Sequence, residues 1–151
     1  MTTINSLPSE RAAIVGVVDP DVNAAAAYTT AWVDMGTFDT IMAIVQAGTL
    51  GSSATLDGKL QQATDSSGTG AKDISGKAIT QLTQAGTDSD KQAIINCRSS
   101  ELDTANSFNY AALVMTVGTA TSDCSAVVLG FDDRQAPASD DDLSSVDEIV
   151  N

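Results

Sequence analysis

The sequence predicts an all-β fold: an antiparallel β-sandwich or barrel-like domain with an extended N-terminal arm and an acidic C-terminal tail. Three observations predict it. Residues 54–64 alternate, with Ala54, Leu56, Gly58, Leu60 and Gln62 on one face and Thr55, Asp57, Lys59, Gln61 and Ala63 on the other, the period-two signature of a half-buried strand. Short apolar runs recur between polar, glycine-bearing turns, giving about seven to nine strands at the spacing of a sandwich or barrel. The chain is 42% hydrophobic and only 18% charged, and Thr, Ser, Gly, Gln and Asn fill the gap, which favours strands and turns over salt-bridged helices.

Taken in order, residues 1–23 read as an arm. They hold Pro8 and Pro20 around the run Ala12 to Val18, one strand ended by the turn signal Asp19-Pro20-Asp21. Residues 24–131 form the β domain. Four consecutive alanines precede Tyr28, which suits a helix start, but Tyr28 to Val33 favours a strand with Tyr28, Thr30 and Trp32 on one face. Met35-Gly36-Thr37 is a tight turn, Phe38 to Gln46 a buried strand, and Gly48 to Ser53 a loop. The alternating strand follows, then a hairpin tip from Asp65 to Gly70. The chain returns through Ile74, and Ala78 to Thr83 makes a short strand. After the loop Gly86 to Asp90, the strand Lys91 to Ser99 turns Ala93, Ile95 and Cys97 to one side. Ser100 to Asn106 holds one helical turn. Phe108 to Val117 and Cys124 to Phe131 are the two closing strands.

Residues 132–151 form the acidic tail, with seven Asp and Glu against Arg134 alone. Fixing a residue costs about 1–2 kcal/mol of backbone entropy, so an ordered tail needs apolar anchors. Leu143, Val146, Ile149 and Val150 supply them: their spacing predicts a short helical apolar face, with Asp140-Asp141-Asp142 at its N-terminus. Ile4 and Leu7 are the corresponding residues of the N-terminal arm. Both arms are expected to dock, on the domain or on a neighbouring subunit.

Charge excludes several functions. There are 20 Asp and Glu against 7 Lys and Arg, a net charge of −13, and no histidine. Such a chain repels a phosphate backbone, so no nucleic-acid partner is expected. Without histidine there is no Ser-His-Asp or Cys-His catalysis and no imidazole metal ligand. The longest charge-free window, Thr104 to Ser122, is too polar to cross a bilayer, so no membrane partner is expected. The N-terminus lacks a basic region followed by an apolar core, and synthesis in the cytoplasm is the expectation. Cys97 and Cys124 belong to no CxxC pair and are expected to be buried and reduced, a disulfide being possible only if their strands are neighbours.

The remaining candidates for chemistry are weak. Gly68-Thr69-Gly70-Ala71-Lys72-Asp73 lacks the frame of a phosphate loop and reads as a hairpin tip. Asp132-Asp133 and Asp140-Asp141-Asp142 lack the spacing of a calcium loop and read as a diffuse counter-ion zone. Asp34 with Asp39, or Asp57 with Asp73, are acid–base pairs only if the sheet brings them together. Trp32, the one tryptophan, reads as a core or interface anchor rather than a sugar platform. The expectation is a protein with no enzymatic activity, no cofactor and no metal.

Four stretches carry a resemblance: Trp32 to Asp39; Ile44 to Leu50; Ala54 to Asp65; and Lys72 to Leu82. The run from Phe108-Asn109-Tyr110 to Val127-Val128-Leu129-Gly130 also fits. Over residues 28–130 the chain resembles a family of small virion proteins of tailed bacteriophages, of the capsid decoration or cement type. The resemblance implies a structural protein on the outside of a capsid, bound to the major capsid protein and self-associated as homotrimers, made in the host cytoplasm. A neck, connector or tail-tube component is the alternative, and a surface glycan-binding module a further one.

Overall fold

The computed structural model describes residues 5–151, and Ile4 lies outside them. The all-β expectation holds. Four strands, β1 (Ala12–Asn23), β4 (Phe38–Ala47), β8 (Gln92–Arg98) and β10 (Ser122–Asp133), form one sheet in the order β1-β10-β4-β8. The second sheet runs β2 (Ala27–Thr29), β9 (Tyr110–Gly118), β5 (Thr55–Ala63), β6 (Lys72–Ala78). The two-residue strands β3 (Val33–Asp34) and β7 (Leu82–Thr83) join it on β9 and β5. All pairings are antiparallel.

The pairs β1·β10, β2·β9, β4·β8 and β5·β6 nest one inside the next, as in a single long hairpin. Rolling that hairpin brings β10 against β4 and β9 against β5. The result is a double-sheet jelly roll.

The core lies between the sheets. Leu56, Leu60, Leu113, Met115 and Val117 from the second sheet meet Ile41, Val45 and Val128 from the first, each no more than 2% exposed. The alternation read in residues 54–64 is real: Leu56, Gly58, Leu60 and Gln62 are buried, and the residues between them are half-buried. The run Phe38 to Gln46 is sealed only on alternate positions. Ile41, Ala43 and Val45 are buried, but Met42 and Ile44 point away from the core and are half-buried.

Several elements differ from the sequence expectation. Tyr28 to Val33 is not one strand. The Thr30 hydroxyl accepts the Leu113 N–H at 3.0 Å, and the ladder resumes in β3 with its register moved by one residue. The return after the hairpin tip is a full strand, β6, while Ala78 to Thr83, read as one strand, supplies only the last residue of β6 and the two-residue β7. Ser100 to Asn106 holds two 3-10 turns, Ser99–Glu101 and Thr104–Asn106, instead of one helical turn.

The segment 1–23, read as an arm, contains the short helix α1 (Pro8–Arg11) and all of β1, whose residues Ala13, Val15 and Val18 enter the core. β1 does not stop at Asp19-Pro20-Asp21. It continues to Asn23 through a register shift between Val18 and Asp21. A bulge on an edge strand is where a proline, lacking an N–H, is tolerated.

Candidate functional site

The described docking residues fall into two groups. Leu143 and Val146 are half-buried, and Leu143 N–H donates to the Ile14 carbonyl at 2.9 Å, so this part of the tail lies on its own chain's β1. Leu7, Ile149 and Val150 are exposed. The helical face predicted over 143–150 does not form; the tail holds a 3-10 turn, Ala138–Asp141, and one further turn closed by the Val146 N–H on the Leu143 carbonyl at 2.9 Å. Asp142 is extended, at φ −60° and ψ 146°, and its Oδ1 accepts the Ile14 N–H at 2.6 Å; with the Leu143 bond this lays the segment along β1.

The carboxylate pairs have separate partners. Asp57 accepts from Gln81, while Asp73 accepts from Gln61 and pairs with Lys59 at 2.9 Å. Those two contacts, Gln61 first and then Lys59, hold the Asp73 carboxyl below its ordinary pKa. Asp34 accepts the Gly36 N–H, and Asp39 accepts the Ser99 hydroxyl. Asp65 Oδ1 accepts N–H groups of Ser67 and Thr69, which fixes the hairpin tip read in the sequence. Gly68, at φ +83°, lies so close to Trp32 that a Cβ there would sit 2.6 Å from the indole nitrogen. The indole is a support for that tip. Among the described residues no group of three or more His, Cys, Asp or Glu is placed to hold a metal ion.

Both cysteines are free thiols in the four-stranded sheet and buried. Cys97 on β8 pairs in register with Ile41, and Cys124 on β10 with Ala47, so the strand β4 separates them. Desolvation first, then the nearby Glu101 carboxylate, pushes the Cys97 pKa up to about 11; desolvation also raises that of Cys124. Neither is a poised thiolate.

The feature the sequence reading missed is the outer face of the four-stranded sheet. Registers across it place Ile94, Ile44, Val127 and Val17 in one apolar row spanning all four strands, with Met42, Leu129 and Ile14 in the next. Ile94 is 57% exposed. A signal existed: turning Ala93, Ile95 and Cys97 inward leaves Ile94 facing out. The arginines of the chain, Arg11, Arg98 and Arg134, lie at the end that holds Ala12, Thr40 and Phe131, among the acids Asp39, Glu101 and Asp132: Arg134 lies 3.8 Å from Asp39, and Asp132 accepts the Thr40 hydroxyl. Asp21, Asp90 and Asp123 lie at the opposite end, around Gln46 and Gln92.

The two edges of this sheet differ. β1 carries two register shifts and Pro20, and the tail covers its backbone at Ile14. β8 pairs with β4 on one side and with no strand on the other among the described residues. Ala47 N–H donates to the Lys91 carbonyl at 2.8 Å, so the odd-numbered residues of the ladder face β4. The backbone groups of Gln92, Ile94 and Asn96 therefore point outward along the bare edge. At its end, Glu101 accepts the Arg98 N–H and pairs with Lys77, and those contacts, in that order, lower the Glu101 pKa.

Fold and surface together define a jelly-roll domain whose distinguishing feature is a surface, an apolar sheet face with one open edge. No protein-family model matches the chain, and a search of curated proteins returns no significant match. Among solved structures it is similar to a chain of the cryo-EM structure of Broad Bean Stain Virus, at TM-score 0.48 and 11% identity, covering 90% of this chain and 93% of that one. It is also similar to a chain of the Cowpea Mosaic Virus empty virus-like particle, at TM-score 0.42 and 13% identity, covering 75% and 56%. The fold assignment rests on this chain's own strand order.

Proposed function

We propose that this chain is a structural protein of a virus particle, placed on the outside of the capsid, where it binds the major capsid protein and stabilises the shell. It self-associates, has no catalytic activity and uses no cofactor. The observation that carries this reading is the coincidence of two things. The resemblance to phage decoration proteins spans residues 28–130, and that span is the jelly roll from β2 through nearly all of β10. Jelly rolls recur in viral capsid domains, though also in lectins and cupins, so fold alone is an analogy. The outward apolar row and the open β8 edge add a means of binding neighbours, by area and by strand addition. A net charge of −13 keeps many copies soluble before assembly.

The test is a count of copies in purified particles by quantitative gel. Near-stoichiometric abundance with the shell protein is expected, and selective removal of this chain should leave shells that rupture at lower temperature. A handful of copies would instead indicate a neck or tail component, and absence from the particle would overturn the reading. The strand order favours a second reading, a subunit that builds the shell itself; the chain would then be the most abundant protein of the particle.

A further inference from the structure

We propose that two copies of this chain join face to face through the outer side of the four-stranded sheet, across a two-fold axis that runs along the row Ile94, Ile44, Val127 and Val17. The inference rests on the self-association in the function proposed above and gives it a surface. It replaces the trimer implied by resemblance with a pair.

The two outer sides of the sandwich differ in chemistry. On the second sheet the outward residues of β5 include Asp57 and Lys59, engaged at the surface by Gln81 and Asp73. On the four-stranded sheet the outward residues fall into four rows that cross the strands in register. The two central rows are apolar except for Asn96. A polar row of Gln92, Gln46 and Ser125 flanks them on one side, and a row from Arg98 to Ala12 on the other. Arg98, on the edge strand, is the one charge in the four rows, in a chain with 20 Asp and Glu and 7 Lys and Arg. An apolar sheet face kept this clear of charge is an interaction surface.

Size and chemistry name the occupant. Four strands at ~4.8 Å and four rows at ~6.7 Å span about 500 Å² of each copy. A pair then covers about 1,000 Å² before side-chain relief is counted, the size a specific interface must clear. A twisted sheet face is covered best by another sheet about 10 Å away, its strands within about 30° of the first. That second sheet must be as free of charge as this one, because an ion brought onto the central rows would lose its water and find no counter-charge. Of the two outer sheet faces of this chain, only this one meets the condition, and a two-fold axis sets it against itself.

Charge at the ends sets the orientation. An axis along the strands would stack Asp21, Asp90 and Asp123 on the same three acids of the second copy. Among the described residues no cation lies within 4.0 Å of any of them. An axis along the row sets them instead over the opposite end, where the arginines of the chain stand among acids. In that arrangement Ile44 and Val127 each face their own counterparts. Gln46 and Met42, one row to either side of the axis, face each other.

Sedimentation of the purified full chain tests the pairing. The wild-type chain is expected to be a dimer. Ile44→Lys sets two unpaired cations against each other on the axis and is expected to weaken the dimer about tenfold or more, although it reduces the net charge of −13 that opposes association. Gln46→Glu, at an exposed position, sets a carboxylate against Met42 of the second copy and is expected to weaken the dimer to a similar degree. It serves as the test if Ile44→Lys does not fold, folding being read by far-ultraviolet circular dichroism. Thr116→Lys adds the same cation beside Asp57 on the second sheet and is expected to leave the dimer intact. A monomeric or trimeric wild-type chain, a dimer that the folded face variants leave unchanged, or one that Thr116→Lys breaks as readily overturns the proposal. Copy number in particles is read separately, so a failed pairing and a failed virion assignment are distinguishable.

Discussion

The two edges of the four-stranded sheet are made from the same kind of strand and end in opposite states. β1 is bulged, carries Pro20 and is bonded to the acidic tail through Asp142 and Leu143. β8 is regular and bare on its outer side. Asp142 spends its carboxylate on the Ile14 N–H, so this acid of the tail is a structural contact on the β1 edge, whereas β8 has no proline, bulge or tail bond along its edge.

The largest expected effect removes what both edges hang on. Ile41 is 1% exposed on β4 and pairs in register with Gly130 on one side and Cys97 on the other. Ile41→Ala leaves a cavity and is expected to cost about 2–5 kcal/mol by urea unfolding.

The next effect is confined to the β8 side. The Cys97 pKa stands at about 11 when folded, against 9.0 for a free thiol. The folded state therefore favours the neutral thiol, and its contribution is fully present below pH 9. Above that the unfolded chain releases its proton first, so stability falls as pH rises from 9 to 11, by about 2–3 kcal/mol in total. Cys97→Ser is expected to flatten that fall in urea titrations across the same range.

The β1 side is sharpened by Asp142→Ala, which leaves the Ile14 N–H without its acceptor. A loss of about 1–3 kcal/mol is expected, with smaller loss in Asp142→Asn, which keeps an oxygen. Opening that edge should also produce oligomers larger than the wild type, visible in sedimentation. The smallest effect is at the end of β8. Glu101→Gln removes a 2.9 Å ion pair to Lys77 at a site 40% exposed, and about 0–1 kcal/mol is expected. The Glu101 pKa is lowered on folding, so that contribution is present above its ordinary pKa and fades as pH falls through the lowered one.

The sequence made the sandwich legible because its signals are local. The alternation at 54–64, the hairpin tip at Asp65 to Gly70 and the turn at Met35 to Thr37 depend on neighbours in the chain, and all formed. Elements decided by distant groups were misread. Thr30 breaks the strand read over 28–33 because its hydroxyl meets Leu113. The tail lies along β1 through bonds from Asp142 and Leu143 to Ile14, a residue more than a hundred positions away that the tail's own spacing does not point to. The open edge was half legible: the inward set Ala93, Ile95 and Cys97 implied an outward Ile94, but only the strand order shows that, among the described residues, no strand pairs with it.

Amide hydrogen exchange tests the edge contrast most directly. The Ile14 amide, bonded to Asp142, should exchange slowly. The Ile94 and Asn96 amides, which no strand pairs among the described residues, should exchange quickly. Ile94 and Asn96 amides as slow as the Ile14 amide would contradict the account.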